Sequence, residues 1–163
     1  MTRRVFLSFD YERDICRAGQ VRNCWITEPD RETSGFVDAD SWEKLNWKGD
    51  EAVQKWIDRE LERSSVTVVL ISYKTGNSEL VNYEIKQSRL LGKGLLGIYI
   101  HNLKDQDGKT DLKGENPLDN FCTEKKGEIK YLSQIYPTYD WVDDDGCNNI
   151  ADWIEEASKK VGR

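Results

Sequence analysis

Three short segments of this chain are apolar on both faces of an extended backbone: Arg4 to Phe9 (RVFLSF), Val66 to Ser72 (VTVVLIS) and Leu95 to Ile100 (LLGIYI). A strand with one wet face alternates polar and apolar residues, whereas a strand covered on both faces reads as a continuous apolar run. Such strands belong in the middle of a parallel sheet with helices on both sides. The segments between them carry helical periodicity. Tyr11, Ile15, Ala18 and Trp25 mark a helix over about Glu12 to Trp25. Val53, Trp56, Ile57 and Leu61 mark another from Glu51 to Arg63, with Asp50 as its expected N-cap. Ser78 is placed to cap a helix ending near Leu91. Asn148 or Asn149 opens a last one, with Ile150, Trp153, Ile154, Ala157 and Val161 in register.

Thr27 to Ser34 reads as a loop and Gly35 to Asp38 as a short second strand. A final strand lies within Ile135 to Val142. The order is β-α-β-α-β-α-β-loop-β-α, which predicts an α/β three-layer sandwich. Five strands suit the flavodoxin-like order 2-1-3-4-5. The 163 residues form one expected domain, 1–163, interrupted by a polar insertion at about 102–130, whose length marks it as functional or mobile.

With 30 acidic and 24 basic residues the net charge is −6, which argues against nucleic acid or an anionic membrane as partner. The first ten residues hold too short an apolar run for a secretory signal, so the expected location is the cytoplasm. There, Cys16, Cys24, Cys122 and Cys147, which show no paired ligand spacing, are expected to be free and reduced. No metal site is expected from these and the single histidine, His101. The tryptophans at 42, 47 and 56 are expected in the core or at a packing edge.

In an open α/β sheet, ligands bind beyond the carboxyl ends of the strands, at the switch point between strands 1 and 3. That crevice is framed by Phe9-Asp10-Tyr11 and by Ser72-Tyr73-Lys74-Thr75. On the helix that leaves the second loop, Glu84 projects between Leu80 and Val81, inside the apolar sector, while Asn82, Lys86 and Arg89 face outward. A carboxylate there needs a partner or a task, because burial penalises its charge. A structural ion pair at the sheet rim and a catalytic carboxylate are both open on these residues alone.

RRVFLSF near the start, FVDADSWE after the first loop, then SVTVVLIS, LVNYEI and YDWVDDDG before the closing helix together resemble the TIR-like domain of the Thoeris antiviral system, of the ThsB type. The resemblance covers about residues 3 to 157. It implies the flavodoxin-like fold and an enzyme that consumes NAD+ as substrate, with no further cofactor. The essential glutamate of such domains lies in a segment like LVNYEI and maps to Glu84. The resemblance also implies that Phe9, Asp10, Tyr11 and Ser72 line the pocket. It further implies that Thr27 to Trp42 corresponds to the loop region joining neighbouring subunits. Many catalytic relatives carry Trp four residues before the glutamate, where this chain has Leu80. Tyr11, Tyr73 and Trp42 are the aromatic residues expected to take its place.

The reaction so implied is loss of nicotinamide from NAD+. Nicotinamide leaves as a neutral molecule, so no acid is required. The sugar becomes oxocarbenium-like, and one carboxylate can stabilise it. Capture by water gives ADP-ribose; capture by adenine gives a cyclic isomer, a diffusible messenger for a separate effector, made in response to a phage-derived trigger. Two other readings use the same fold: a non-catalytic TIR adapter, favoured by Leu80, and a nucleoside deoxyribosyltransferase-like enzyme.

Overall fold

The computed structural model describes residues 2–163. Its central sheet consists of β1 (Arg3–Ser8), β2 (Arg31–Ser34), β3 (Val66–Ile71), β4 (Gly94–Tyr99) and β7 (Thr138–Asp140). The order is β2-β1-β3-β4-β7 and every pairing is parallel. This is the flavodoxin-like order. All six residues of β3 are buried, as continuous apolarity on both faces requires.

One side of the sheet is covered by α1 (Tyr11–Trp25) and α6 (Gly146–Lys160), which pack with β1, β3 and β4 in the largest apolar cluster. The other side carries α3 (Asp50–Glu62) and α4 (Glu79–Leu90), whose buried residues include Ile57, Leu61, Val81 and Ile85.

Several expectations shift. The second strand is Arg31–Ser34, inside the expected loop, and Gly35 to Asp38 is the turn that follows it. Gly35 adopts φ +71°, and a Cβ there would run into the Phe6 ring, so a turn at this point excludes other residues. An unforeseen helix, α2 (Ala39–Trp47), follows, capped by Asp38 through Ser41 N at 2.7 Å. The N-cap of α3 is Gly49, not Asp50, and α6 begins at Gly146. Trp47 is 84 % exposed, against the expectation of core or packing edge, because it ends α2 on the face turned from the sheet. The insertion is only partly irregular: β5 (Cys122–Lys125) and β6 (Glu128–Tyr131) make an antiparallel hairpin, followed by the single turn α5 (Leu132–Ile135).

The cysteine expectation is corrected too. Cys24, at the end of α1, and Cys147, at the start of α6, form a disulfide, leaving Cys16 and Cys122 free. The two partners are 123 residues apart in sequence, and only the side-by-side packing of α1 and α6 brings their Cα atoms to 5.5 Å. Cross-linking across so long a loop restricts the unfolded chain strongly. Cys147→Ser should therefore cost about 2–4 kcal/mol in urea denaturation under oxidising conditions, and almost nothing when reductant is present. Among the described residues no helix is long and apolar enough to cross a membrane.

Candidate active site

At the carboxyl edge of the sheet, between β1 and β3, lies a cavity of about 410 Å³. Four parts of the chain build it. Phe9, Asp10, Tyr11 and Glu12 come from the β1–α1 turn; Lys74, Asn77, Ser78, Glu79, Leu80 and Glu84 come from the β3–α4 loop and α4; Trp42 and Asn46 come from α2, and Ile57 from α3. Both helices that start here are side-chain capped. Asp10 accepts from Glu12 N at 3.2 Å, and Ser78 Oγ accepts from Val81 N at 3.3 Å.

Glu84 is 4 % exposed and lines this cavity. Ser8 Oγ, at the last position of β1, donates to its Oε1 at 2.8 Å. Among the described residues no lysine, arginine or histidine pairs with it, so it is not the rim ion pair that the sequence also allowed. Burial pushes its carboxyl up to about 8, the Ser8 hydrogen bond opposing this only in part. The rest of α4 explains why the residue sits here: Val81, Ile85 and Ser88 are buried on the same face, while Lys86 and Arg89 point outward. Leu91, near which the helix was expected to end, is the C-cap of α4 and is 42 % exposed.

The aromatic residues form one wall. The Tyr11 ring stacks on Trp42 at 4.1 Å between centroids and lies against Phe9 at 4.2 Å, with Trp56 edge-on at 6.4 Å. Tyr11 Oη donates to Gly35 O and accepts from Val37 N at 3.2 Å, which ties the turn after β2 to the start of α1. The Tyr11 hydroxyl is thereby committed to backbone, and its buried phenol is pushed far up from its ordinary range. Trp42, half-buried on α2, is the aromatic surface beside Leu80 in the cavity lining.

Phe9, Asp10, Tyr11, Trp42 and Glu84 thus share one cavity. Ser72 and Tyr73 do not line it. Ser72 is fully buried; its hydroxyl donates to Asp14 Oδ2 and its amide to Thr75 Oγ1 at 2.8 Å, so it braces the β3–α4 loop from within. Tyr73, 46 % exposed, turns the other way, into a neighbouring cavity. His101 is buried beyond the end of β4 and lies outside the Glu84 cavity.

Sequence reasoning placed Lys74 at the crevice but missed Ser8, Asn77 and Asn46. Ser8 had a signal: it is the polar residue inside an apolar strand, and a buried hydroxyl needs a partner. Asn46 had none, since α2 itself was not foreseen.

The sequence profile described as "Thoeris protein ThsB, TIR-like domain" matches residues 6–105. A Bacillus cereus (strain MSX-D12) protein named "Putative cyclic ADP-D-ribose synthase ThsB1" is 32 % identical over 191 aligned residues, spanning 94 % of this chain and 100 % of that protein. The matched region contains the second half of β1, the cavity-forming turns and all of α4. The chain therefore belongs to the Thoeris ThsB TIR-like family.

Proposed function

We propose that this protein cleaves the bond between nicotinamide and ribose in NAD+ and closes the ADP-ribosyl product into a cyclic messenger. The observation that carries this reading is Glu84: a buried carboxylate, without a cationic partner among the described residues, lining a strand-end cavity beside an aromatic wall. The name of the Bacillus cereus relative supports the cyclic product.

In the proposed reaction the C1′–N bond electrons leave with nicotinamide, which departs neutral. Positive charge develops on the ribose, and the Glu84 carboxylate stabilises it in a site of low dielectric. Ser8 holds one carboxylate oxygen, which fixes the orientation of the other. Cyclisation then requires adenine at the anomeric carbon before water arrives, a matter of positioning that the Trp42 wall is placed to serve. Self-association through Thr27 to Trp42 fits the site, since this segment supplies the edge strand β2 and reaches the cavity at Trp42. A phage-derived trigger and a separate effector reached by the messenger complete the proposal.

The test is incubation of concentrated protein with NAD+ and chromatography of the products. Nicotinamide with a cyclic ADP-ribose isomer is expected. Linear ADP-ribose alone would overturn the cyclase assignment; intact NAD+, together with exchange of deoxyribose between an added 2′-deoxynucleoside and an added free base in a parallel incubation, would favour the deoxyribosyltransferase-like reading.

The pH dependence follows from burial. In the free protein Glu84 is largely protonated at neutral pH, and the charged form is the one that stabilises the sugar cation. kcat/KM should therefore rise through about pH 8. Bound NAD+ brings a cationic ring near the carboxylate and favours its charged form, so the kcat profile should lie at lower pH than the kcat/KM profile. Coincident, flat profiles between pH 6 and 9 would count against a titrating Glu84.

A further inference from the structure

A second cavity, of about 600 Å³, adjoins the first. Lys74 and Asn77 line both, so the two are compartments separated by the β3–α4 loop. The walls of the second are Tyr73 and Gly76 on one side and Lys113, Gly114 and Glu115 on the other. We infer that this second cavity is a nucleoside-diphosphate subsite, in which Lys74 and Lys113 hold the diphosphate and Tyr73 carries the base. The inference deepens the proposed function and rests on it for the identity of the substrate.

Charge is the first argument. Besides the buried Glu84, the first cavity is lined by three carboxylates, Asp10, Glu12 and Glu79, against one lysine, Lys74. That lining suits a cationic ring and repels a diphosphate. The usual anion seat at a helix N-terminus is filled at α1 by the Asp10 carboxylate, which already accepts from Glu12 N. The second cavity holds two lysines against one carboxylate, Glu115. NAD+ has the matching polarity, cationic at nicotinamide and dianionic at the diphosphate. A cavity of about 410 Å³ is also near the low end for a small-molecule site, and a dinucleotide extends well beyond one compartment.

Construction is the second argument. The far wall belongs to the insertion after β4, and α1 straps that segment down. Arg17 donates to Leu103 O at 2.9 Å and Lys109 O at 3.0 Å, Gln20 donates to Lys104 O at 2.8 Å, and Arg13 pairs with Asp111 at 2.8 Å. Asp111 also accepts from Tyr73 N at 3.3 Å, which joins the two walls. A Cβ at Gly114 would collide with the carbonyls of Ser72 and Tyr73, so only glycine permits this approach. Lys113 Nζ lies 4.5 Å from the centroid of the Tyr99 ring, a cation–π contact that holds the ammonium in place. Tyr73, with almost half its surface exposed and its ring free to stack, completes the compartment.

Titration with ADP and with inorganic pyrophosphate, read by isothermal calorimetry, tests this without turnover. Lys113→Ala should weaken both roughly tenfold, the loss of one charge-assisted contact, and Lys113→Arg should restore most of it. Tyr73→Ala should weaken ADP by a similar factor, as loss of base stacking does, and leave pyrophosphate unchanged. Lys130→Ala, on the hairpin, controls for the general effect of net charge and should change neither. Thermal melts establish that each variant is folded; if Lys113→Ala is not, Lys113→Gln takes its place. ADP that fails to bind wild-type protein, or binds Lys113→Ala equally well, overturns the subsite. Nicotinamide release on the same preparations separates the two claims. Release that needs Glu84 but with ADP indifferent to Lys113 removes the subsite alone. ADP held by Lys113 with no nicotinamide released removes the Glu84 reaction and leaves a diphosphate site.

Discussion

Glu84→Gln should give a folded protein whose nicotinamide release from NAD+ is reduced by about 10²-fold or more, because glutamine keeps the shape and the Ser8 contact but carries no charge to offset the developing sugar cation. The same variant should be more stable than the parent at alkaline pH. The sign follows from the raised pKa. In the unfolded chain Glu84 loses its proton around its ordinary 4.5, whereas in the fold it keeps it up to about 8. Between these values the native state binds the extra proton, so stability falls as pH rises, and the penalty is complete above about 8. Removing the group should recover on the order of 2–4 kcal/mol at pH 8 and little at pH 4.5. Urea denaturation at both pH values checks this, alongside a nicotinamide assay. A folded variant with near-parental turnover would remove Glu84 from the chemistry. Equal stability gain at both pH values would mean the carboxylate is not the buried acid described above.

Arg17→Met should cost about 3–5 kcal/mol in denaturant unfolding, the second largest effect expected. Arg17 and Asp14 are both buried, with Arg17 Nη1 donating to Asp14 Oδ1 at 2.9 Å. Burial holds the Asp14 carboxyl above its ordinary range, and the hydrogen bonds from Ser72 and Arg17 pull it back. Without the guanidinium, Asp14 is left as a buried acid and the carbonyls of Leu103 and Lys109 lose their donor. Adding Asp14→Asn should return part of the loss, since the uncompensated charge is gone. Limited proteolysis within residues 102–115 should accelerate in the single variant. A loss below about 1 kcal/mol would mean that water replaces the pair at little cost.

The Asp14–Arg17 pair shows where periodicity misleads. Helical spacing nominated Tyr11, Ile15, Ala18 and Trp25 as the inward face of α1, and Ile15 is only partly buried while Asp14 and Arg17 are. Two charged residues three positions apart on a helix read as a solvated face. They are inside because Ser72 meets Asp14 at the end of β3 and the 103–111 segment folds onto Arg17, and nothing near Asp14 in sequence announces either partner. Ser72 and Tyr73 teach the same lesson at finer scale: adjacent residues at one strand end point to different places, Ser72 into the Asp14 network and Tyr73 into the second cavity. The direction of a side chain in a loop is set by what the loop packs on, which short-range pattern does not carry.

The sequence by itself determined the parallel sheet, the helices that cover it and the inward placement of Glu84. Each of these depends on periodicity within one element, where neighbours in sequence are neighbours in space. Apolarity on both faces of β3 admits only a central strand, and the spacing of Leu80, Val81 and Ile85 admits only an inward Glu84. Tertiary structure alone decided the Cys24–Cys147 bond, the choice of Tyr11 and Trp42 over Tyr73 for the cavity wall, Ser8 as the partner of Glu84, and the strap that builds the second compartment. Each joins residues from elements far apart in the chain. Their meeting depends on which helix lies over which strand, and a buried polar atom states only that a partner exists, without naming it.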